Sequence, residues 1–488
     1  MSAPNASSVD VARSHARKHA ILDHANHIAA ERQHWIARNR AFYRDDRNYM
    51  RFLIPKDARV LDLGCGTGDL LAELNPAYGV GVDISPAMIE RAKRLYPHLS
   101  FIVGDVEDET VIESIEGPFD YIVMSDTIGM LDDIEPALRR LQPLCGPDTR
   151  IIIAYYSHLW EPLLKIAERI GLKMPQPPTN YLNTTDFLNI LALADFEPIK
   201  MEYRQLVPRR LLGLGTLINR FIAPIPGIRR LCLRTYVVAR SLTAQRPPEL
   251  SSSIVIPCRN ERGNIETAIQ RLPAFGKSQE IIYVEGNSSD GTFEECLRVK
   301  EAYAATHDIK VLKQDGRGKG DAVRKAFAAA SGDVLMILDA DLTMPPEALP
   351  KFYAAIVSGK ADFVNGTRLV YPMEDAAMRP LNFIANRFFA GVFSYLVNQR
   401  FSDTLCGTKA LSRSHYEAIA RGRDYFGDFD PFGDCDLIFG AAKQNLKIVE
   451  VPVHYGARVY GETQISRFRD GWLLLRMVGF AFMKLKAF

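Results

Sequence analysis

Apolar runs that give way to glycine, an acid or a polar turn recur along this chain, and they fall into two series. The first comprises 59–63 (RVLDL), 79–83 (GVGVD), 102–105 (IVGD), 119–126 (FDYIVMSD) and 150–156 (RIIIAYY). The second comprises 253–261 (SIVIPCRNE), 280–285 (EIIYVE), 310–314 (KVLKQ) and 334–338 (VLMIL). Continuous runs rich in Val and Ile predict strands buried on both faces, the pattern of a parallel sheet flanked by helices. Helices are predicted over 31–52, from Asp69, over 263–272 and from Thr292, where Gly, Ser and Asp cluster as capping residues. Residues 161–205 read as helical decoration broken by prolines, and residues 1–30 as a disordered lead-in. The stretch 241–252, with TAQRPPELS at its heart, lacks periodicity and reads as a linker between two α/β units.

Composition narrows the picture. The chain has 488 residues, is 47% hydrophobic and carries a net charge of +2. That length suits two or three domains, and near-neutral charge argues against a nucleic-acid partner held by bulk electrostatics. Seven cysteines without paired spacing fit reduced thiols rather than a disulfide framework. The polar N-terminus has no signal-peptide core. No run approaches the roughly 20 apolar residues of a spanning helix.

In the first series, DLGCGTG places glycines at 64, 66 and 68 in the turn after a strand. Glycines there let the backbone turn tightly and approach a ligand closely. The next strands end in Asp83, Asp105 and Ser125-Asp126, so four strand ends describe one crevice at the switch point of a doubly wound sheet. The spacing is GxGxG, not the GxGxxG of dinucleotide enzymes. Residues 59–156 resemble a class I S-adenosylmethionine-dependent methyltransferase, a Rossmann-like fold. The resemblance implies that the Asp62 and Gly64–Gly68 turn holds the methionine part of S-adenosyl-L-methionine, Asp83 the ribose hydroxyls, and Asp105 with Val106 the adenine. Asp126 or His158 could take a proton from an attacking hydroxyl. A domain that binds the cofactor without catalysing stays open.

In the second series, Asp339 and Asp341 follow a buried strand and point the same way. Two adjacent carboxylates need a cation, and a divalent metal that in turn holds a diphosphate is the economical one. VIPCRNE, SSDGT, GRGKGDAV, DADLT, NGTR, DTLCGTK and VPVHY…RVYGET follow in order over 253 to about 470. This ordered set resembles the dolichyl-phosphate-mannose-synthase branch of glycosyltransferase family 2, a GT-A fold. The resemblance implies a nucleotide-sugar pocket lined by Pro257, Arg259, Glu261 and Glu285, where aspartate is more usual at 285. It implies Asp315, Arg317 and Lys319 beside the diphosphate, and Mg²⁺ or Mn²⁺ on Asp339 and Asp341. Arg368, Arg379 and Arg458 would grip an acceptor phosphate.

A polyprenyl monophosphate is mostly dianionic near neutral pH, its second pKa being about 6, so it needs no general base. An alcohol acceptor would need a carboxylate, with Asp403, Asp434 and Asp436 as candidates. The expected domains are therefore 31–206 (methyltransferase), 207–240 (a basic amphipathic segment), the 241–252 linker, and 253–488 (GT-A, with a C-terminal amphipathic helix). Segment 207–240 holds seven arginines and no acid from 208 onward. It and helix 471–488 fit either a membrane interface or a layer packed on a core. The expected protein is a bifunctional enzyme, cytoplasmic and peripheral on the inner face of the membrane. Its partners would be a nucleotide-sugar and a polyprenyl phosphate or glycan. The alternative is a glycosyltransferase for a soluble saccharide carrying a regulatory, non-catalytic S-adenosylmethionine-binding domain.

Overall fold

The computed structural model describes residues 6–488 except 178, 245, 248, 373–379, 427–432, 457, 459 and 461–466. The chain divides after residue 245 into two compact units. Each is built on a seven-stranded sheet.

The first sheet comprises β1 Arg59–Leu63, β2 Tyr78–Asp83, β3 Ser100–Val103, β4 Phe119–Ser125, β5 Cys145–Tyr156, β6 Phe196–Arg204 and β7 Arg234–Ser241. Their order is β3-β2-β1-β4-β5-β7-β6. Strands β1 to β5 pair in parallel, and β7 runs antiparallel to both β5 and β6. Val60, Leu61, Ile122, Val123, Ile151 and Ile153 are fully buried. This is what uninterrupted apolar strands achieve when helices cover both faces. Chain order reverses between β1 and β4, so the carboxyl edge opens there into a crevice.

Three expectations change here. The lead-in is not disordered over its described part: Ala6–Ile28 is a helix. Ile21, Ala25 and Ile28 recur at helical spacing, and Ile28 and Ala29 pack with Met88 and Met174, so tertiary contacts order a stretch too polar to suggest a helix by itself. Residues 161–205 are not all helical, because 196–204 is β6. Segment 207–240 is not one amphipathic element, because its end is β7, flanked by β5 and β6. Arg240 at one end of β7 bonds Glu197 of β6 at 2.9 Å and is 3% exposed. Such cross-strand pairing lets a strand bury the arginines that disguised it.

The second sheet comprises β8 Ser252–Cys258, β9 Gln279–Glu285, β10 Asp308–Lys313, β11 Val334–Ile337, β12 Phe363–Thr367, β13 Lys409–Ser412 and β14 Ile448–Pro452. Their order is β10-β9-β8-β11-β13-β12-β14, with β13 the one reversed strand. Because β13 runs against β11 and β12, the residues leading into it lie at the carboxyl edge of its neighbours. That edge therefore gathers the turns after β8, β9, β11, β12 and β14 and the loop before β13. Among the described residues, no helix is long and apolar enough to cross a membrane.

Candidate functional sites

The crevice of the first domain is lined by Asp62, Gly64, Gly66, Asp83, Asp105 and Val106, among others. Gly64 holds a left-handed φ of 80°, and a Cβ there would sit 2.1 Å from Thr127 Oγ1. Asp83 closes the turn onto β2 by accepting Gly66 N at 2.8 Å and Ser85 N at 2.9 Å. Asp62 is 2% exposed; burial, then the neighbouring Asp83 charge, push its carboxyl up to about 7 against the pull of Arg32. Gly68 does not line the crevice. It starts helix Asp69–Leu74, packed against Phe101.

The N-terminal helices supply further groups, both from 6–28, which the sequence did not suggest as a helix, and from the predicted helical stretch 31–52. Lys18 pairs with Asp105 and, at 2.6 Å, with Glu107. Asn26 accepts Ser85 Oγ at 2.6 Å, and the Arg32 guanidinium lies against Gly66. Behind the crevice residues Asp46 and Asp126, Arg234 of β7 is fully buried. It bonds Asp46 Oδ1 at 3.0 and 3.2 Å and also pairs with Asp126. Tyr236 Oη donates to the same Asp46 oxygen at 2.6 Å. Burial raises the Asp126 carboxyl despite Arg234, which suits a proton acceptor. His158 is exposed and stands outside the lining, so Asp126 is the better placed of the two candidates.

In the second domain, the turn after β8 and the turn after β9 are stitched together. Asn260 N donates to Ser288 Oγ at 2.9 Å, Ser289 N to Asn260 Oδ1 at 2.9 Å, and Glu261 N to Thr292 Oγ1 at 3.0 Å. Pro257 is half-buried and Arg259 exposed on this edge. Glu285 is buried and accepts from Ser288 N, so its carboxylate caps its own turn rather than standing free for a ribose. Asp315 is exposed and pairs with Lys325 at 2.7 Å. Arg317 is exposed too.

The acids after β11 each meet a cation. Lys319 Nζ donates to Asp339 Oδ1 at 2.5 Å. Burial alone would raise Asp339, yet the Lys319 charge and hydrogen bond, with Lys409 and Arg368 beyond, hold it below the usual carboxylate range. Arg458 spans two carboxylates, with Nη2 on Asp341 Oδ2 at 2.6 Å and Nη1 on Glu261 Oε1 at 2.9 Å. Thr343 Oγ1 donates to Asp341 Oδ1 at 2.8 Å. Hard carboxylate oxygens in this setting fit Mg²⁺ or Mn²⁺. Gly407, in the loop before β13, is pressed against this pair: a Cβ there would lie 2.1 Å from Asp339 Oδ2 and 2.2 Å from Lys319 Nζ. Gly407 lies within DTLCGTK, where nothing local marks it as a neighbour of Asp339.

Other expected residues are committed elsewhere. Arg368 makes a two-pronged bond to Asp403, Nε to Oδ2 at 2.6 Å and Nη2 to Oδ1 at 2.8 Å, and is only 9% exposed. Asp403 is fully buried and also accepts from Asn386 and from Leu405 N. Its carboxyl stays low, burial being outweighed by Arg368, so it holds Arg368 and the turn after β12 rather than acting as a base. Asp436 turns to Arg423 Nε at 3.0 Å. Its neighbour Asp434 reaches Lys409 at 2.9 Å. Arg379 lies outside the described residues, as do Asp428 and Asp430.

The carboxyl edge of each mainly parallel sheet thus gathers polar and charged side chains, in the first unit around a crevice. Residues 34–200 match the family model of a methyltransferase domain, and residues 253–419 that of glycosyl transferase family 2. The chain joins a methyltransferase domain to a glycosyl transferase family 2 domain. It is 29% identical over 233 residues to the low-salt glycan biosynthesis hexosyltransferase Agl6 of Haloferax volcanii, covering 46% of this chain and 52% of that protein. It is 30% identical over 220 residues to the dolichol-phosphate mannosyltransferase of Pyrococcus furiosus, covering 44% and 59%. The chain spans about half the length of these curated relatives. Similar solved structures include a SAM-dependent methyltransferase from Thermotoga maritima, described as a possible histamine N-methyltransferase (19% identical, TM-score 0.35, 45% of this chain and 98% of that one). Another is the glucosyl-3-phosphoglycerate synthase of Mycobacterium tuberculosis with Mn²⁺ and UDP (18% identical, TM-score 0.35, 48% and 80%).

Proposed function

We propose that the second domain transfers a sugar, with inversion, from a nucleotide-sugar to a polyprenyl-phosphate-type acceptor, and that the first transfers a methyl group from S-adenosyl-L-methionine in the same glycolipid or glycan pathway. The observation that carries the sugar-transfer reading is the charge arrangement after β11: Asp339 kept ionised by Lys319, and Arg458 joining Asp341 to Glu261. Asp339 and Asp341 would hold Mg²⁺ or Mn²⁺, which when bound neutralises charge on a departing diphosphate. Lys319 adds a fixed positive charge on the same side. An acceptor phosphate oxygen forms a bond to the anomeric carbon while the bond from that carbon to the diphosphate breaks, and the electron pair leaves with the nucleoside diphosphate. No proton has to move at a dianionic acceptor, which accords with Asp403 being tied up. Arg458, half-buried but the most accessible member of its cluster, would meet the acceptor phosphate.

The name of the Pyrococcus relative supports a lipid phosphate acceptor. Trp472 and Leu475 of helix Arg467–Leu485, with Ile384 and Phe388 of helix Pro380–Val397, are 45% to 66% exposed. They support a peripheral place on the inner face of the cytoplasmic membrane. The commitment of Arg368 to Asp403 favours the second reading, a soluble saccharide acceptor. The test presents purified protein and Mn²⁺ with a panel of nucleotide-sugars and a short polyprenyl phosphate, and seeks a lipid-linked sugar by mass. A single productive donor is the expected result. Nucleoside diphosphate release without a lipid product would move the assignment to a saccharide.

A further inference from the structure

One face of the first domain is apolar without serving its core. Around helix Glu161–Arg169, Leu159, Leu163, Ile166 and Ile170 follow one helical stripe, and each is 52% to 62% exposed. The other side of the same helix buries Leu164 with Phe42 and Leu233. The segment 209–231 continues this face. It is a built loop, because Asn219 exchanges two hydrogen bonds with the Val207 backbone at 2.9 and 2.8 Å. Even so, Leu212, Leu214, Leu217 and Leu231 are all more than half exposed. Leu211 and Leu212 hold left-handed φ angles of 42° and 57°, a conformation costly for leucine. The two pieces meet where Trp160 Nε1 donates to Leu231 O at 2.8 Å.

Charge selects the occupant. Arg209, Arg210, Arg220 and Arg230 are exposed on this segment, and no carboxylate occurs between residues 205 and 231. Apolar side chains interleaved with arginines suit the boundary of an anionic bilayer, where leucines enter the acyl region and guanidinium groups meet phosphates. The face also leads to the crevice. Phe42, Tyr43 and Tyr156 line the crevice and pack in one cluster with Trp160 and Leu164, and the chain after Ile170 returns to line it with Met174 and Pro177.

We propose that residues 159–170 and 209–231 dock on an anionic lipid surface, so that the methyl acceptor enters the first domain from the bilayer. The docking stands by itself; the lipid-borne acceptor rests on the methyl-transfer reading above. The test is hydrogen exchange on the full chain with vesicles of phosphatidylcholine, alone or mixed with phosphatidylglycerol. Mixed vesicles should slow exchange in 159–170 and 209–231, and Arg209→Gln with Arg210→Gln and Arg220→Gln should weaken partition by about fivefold per arginine. Slowing confined to 467–485, or equal slowing by neutral vesicles, would overturn the docking. Protection of residues 64–68 by S-adenosylmethionine in the same samples reports the cofactor reading separately. With the lipid-linked product of the second domain placed in the vesicles, labelled methyl should enter organic-extractable material and fall in parallel with docking in the arginine variants. Undiminished incorporation in variants that no longer bind vesicles would overturn the lipid route.

Discussion

Lys319 Nζ and Asp339 Oδ1 lie 2.5 Å apart at the end of β11, and the lysine wins against burial in setting the charge of the acid. With its pKa depressed, Asp339 is ionised throughout the neutral range and takes up a proton only as pH falls below the ordinary carboxylate range. Lys319→Gln removes the leading opposing charge and leaves burial to raise the carboxyl. The acid limb of the sugar-transfer pH profile should move to higher pH, and kcat should fall by about a hundredfold at neutral pH through the lost positive charge. An acid limb that stays put would separate Lys319 from the ionisation of Asp339.

Gly407 should tolerate no side chain. A Cβ at 2.1 Å from Asp339 Oδ2 and 2.2 Å from Lys319 Nζ would drive the pair apart, and small displacements of charged groups cost heavily in transfer reactions. Gly407→Ala is expected to lower kcat by about a hundredfold while leaving the circular dichroism spectrum and methyl-donor binding intact. Near-normal sugar transfer in this variant would remove the Lys319–Asp339 pair from the reacting centre.

Arg234 should prove a keystone of the first domain. It is fully buried between Asp46 and Asp126, and Asp46 depends on it and on Tyr236. Arg234→Met leaves Asp46 uncompensated and should destabilise the domain by about 3–5 kcal/mol, seen as faster exchange of the β5 and β7 amides in urea. Adding Asp46→Asn should restore part of the loss, because the more deeply buried of the two carboxylates that Arg234 faced is then neutral. Failure of the second change to restore any stability would mean that packing of the arginine stem, not its charge, matters.

The parts that were legible in sequence are those in which local pattern and final burial agree. Strands β1, β2, β4, β8, β9 and β11 are apolar runs that give way to glycine, an acid or a polar turn, and Asp62, Asp83, Glu261 and Asp339 lie at or just after their ends. What was missed depends on distant partners. Helix Ala6–Ile28 is ordered through Ile28, Ala29 and the pairing of Lys18 with Asp105. Strand β7 reads as basic because Arg234 and Arg240 flank it, and only Asp46 and Glu197, far away in sequence, reveal those arginines as buried. In the same way, the NGTR arginine looked available until Asp403 was seen to hold it. Ordered motifs locate a site; which of its charges are already paired is decided by the fold.

Asp62 should give cofactor binding a pH dependence near neutrality. Burial and the Asp83 charge raise its carboxyl from the ordinary 3.8 to about 7. The native state therefore keeps a proton that the unfolded chain has already lost, so the unliganded domain loses stability as pH rises from about 4 to about 7, and the loss is complete above that. S-adenosylmethionine brings positive charge, which the ionised carboxylate would attract. Its affinity should therefore rise about tenfold between about pH 6 and pH 8, as the ionised fraction grows. Asp62→Asn should bind more weakly at high pH and flatten both the affinity and the stability profiles. Titration calorimetry across this range is the check: a wild-type affinity independent of pH, alongside an unchanged profile in Asp62→Asn, would place the positive end of the cofactor away from Asp62.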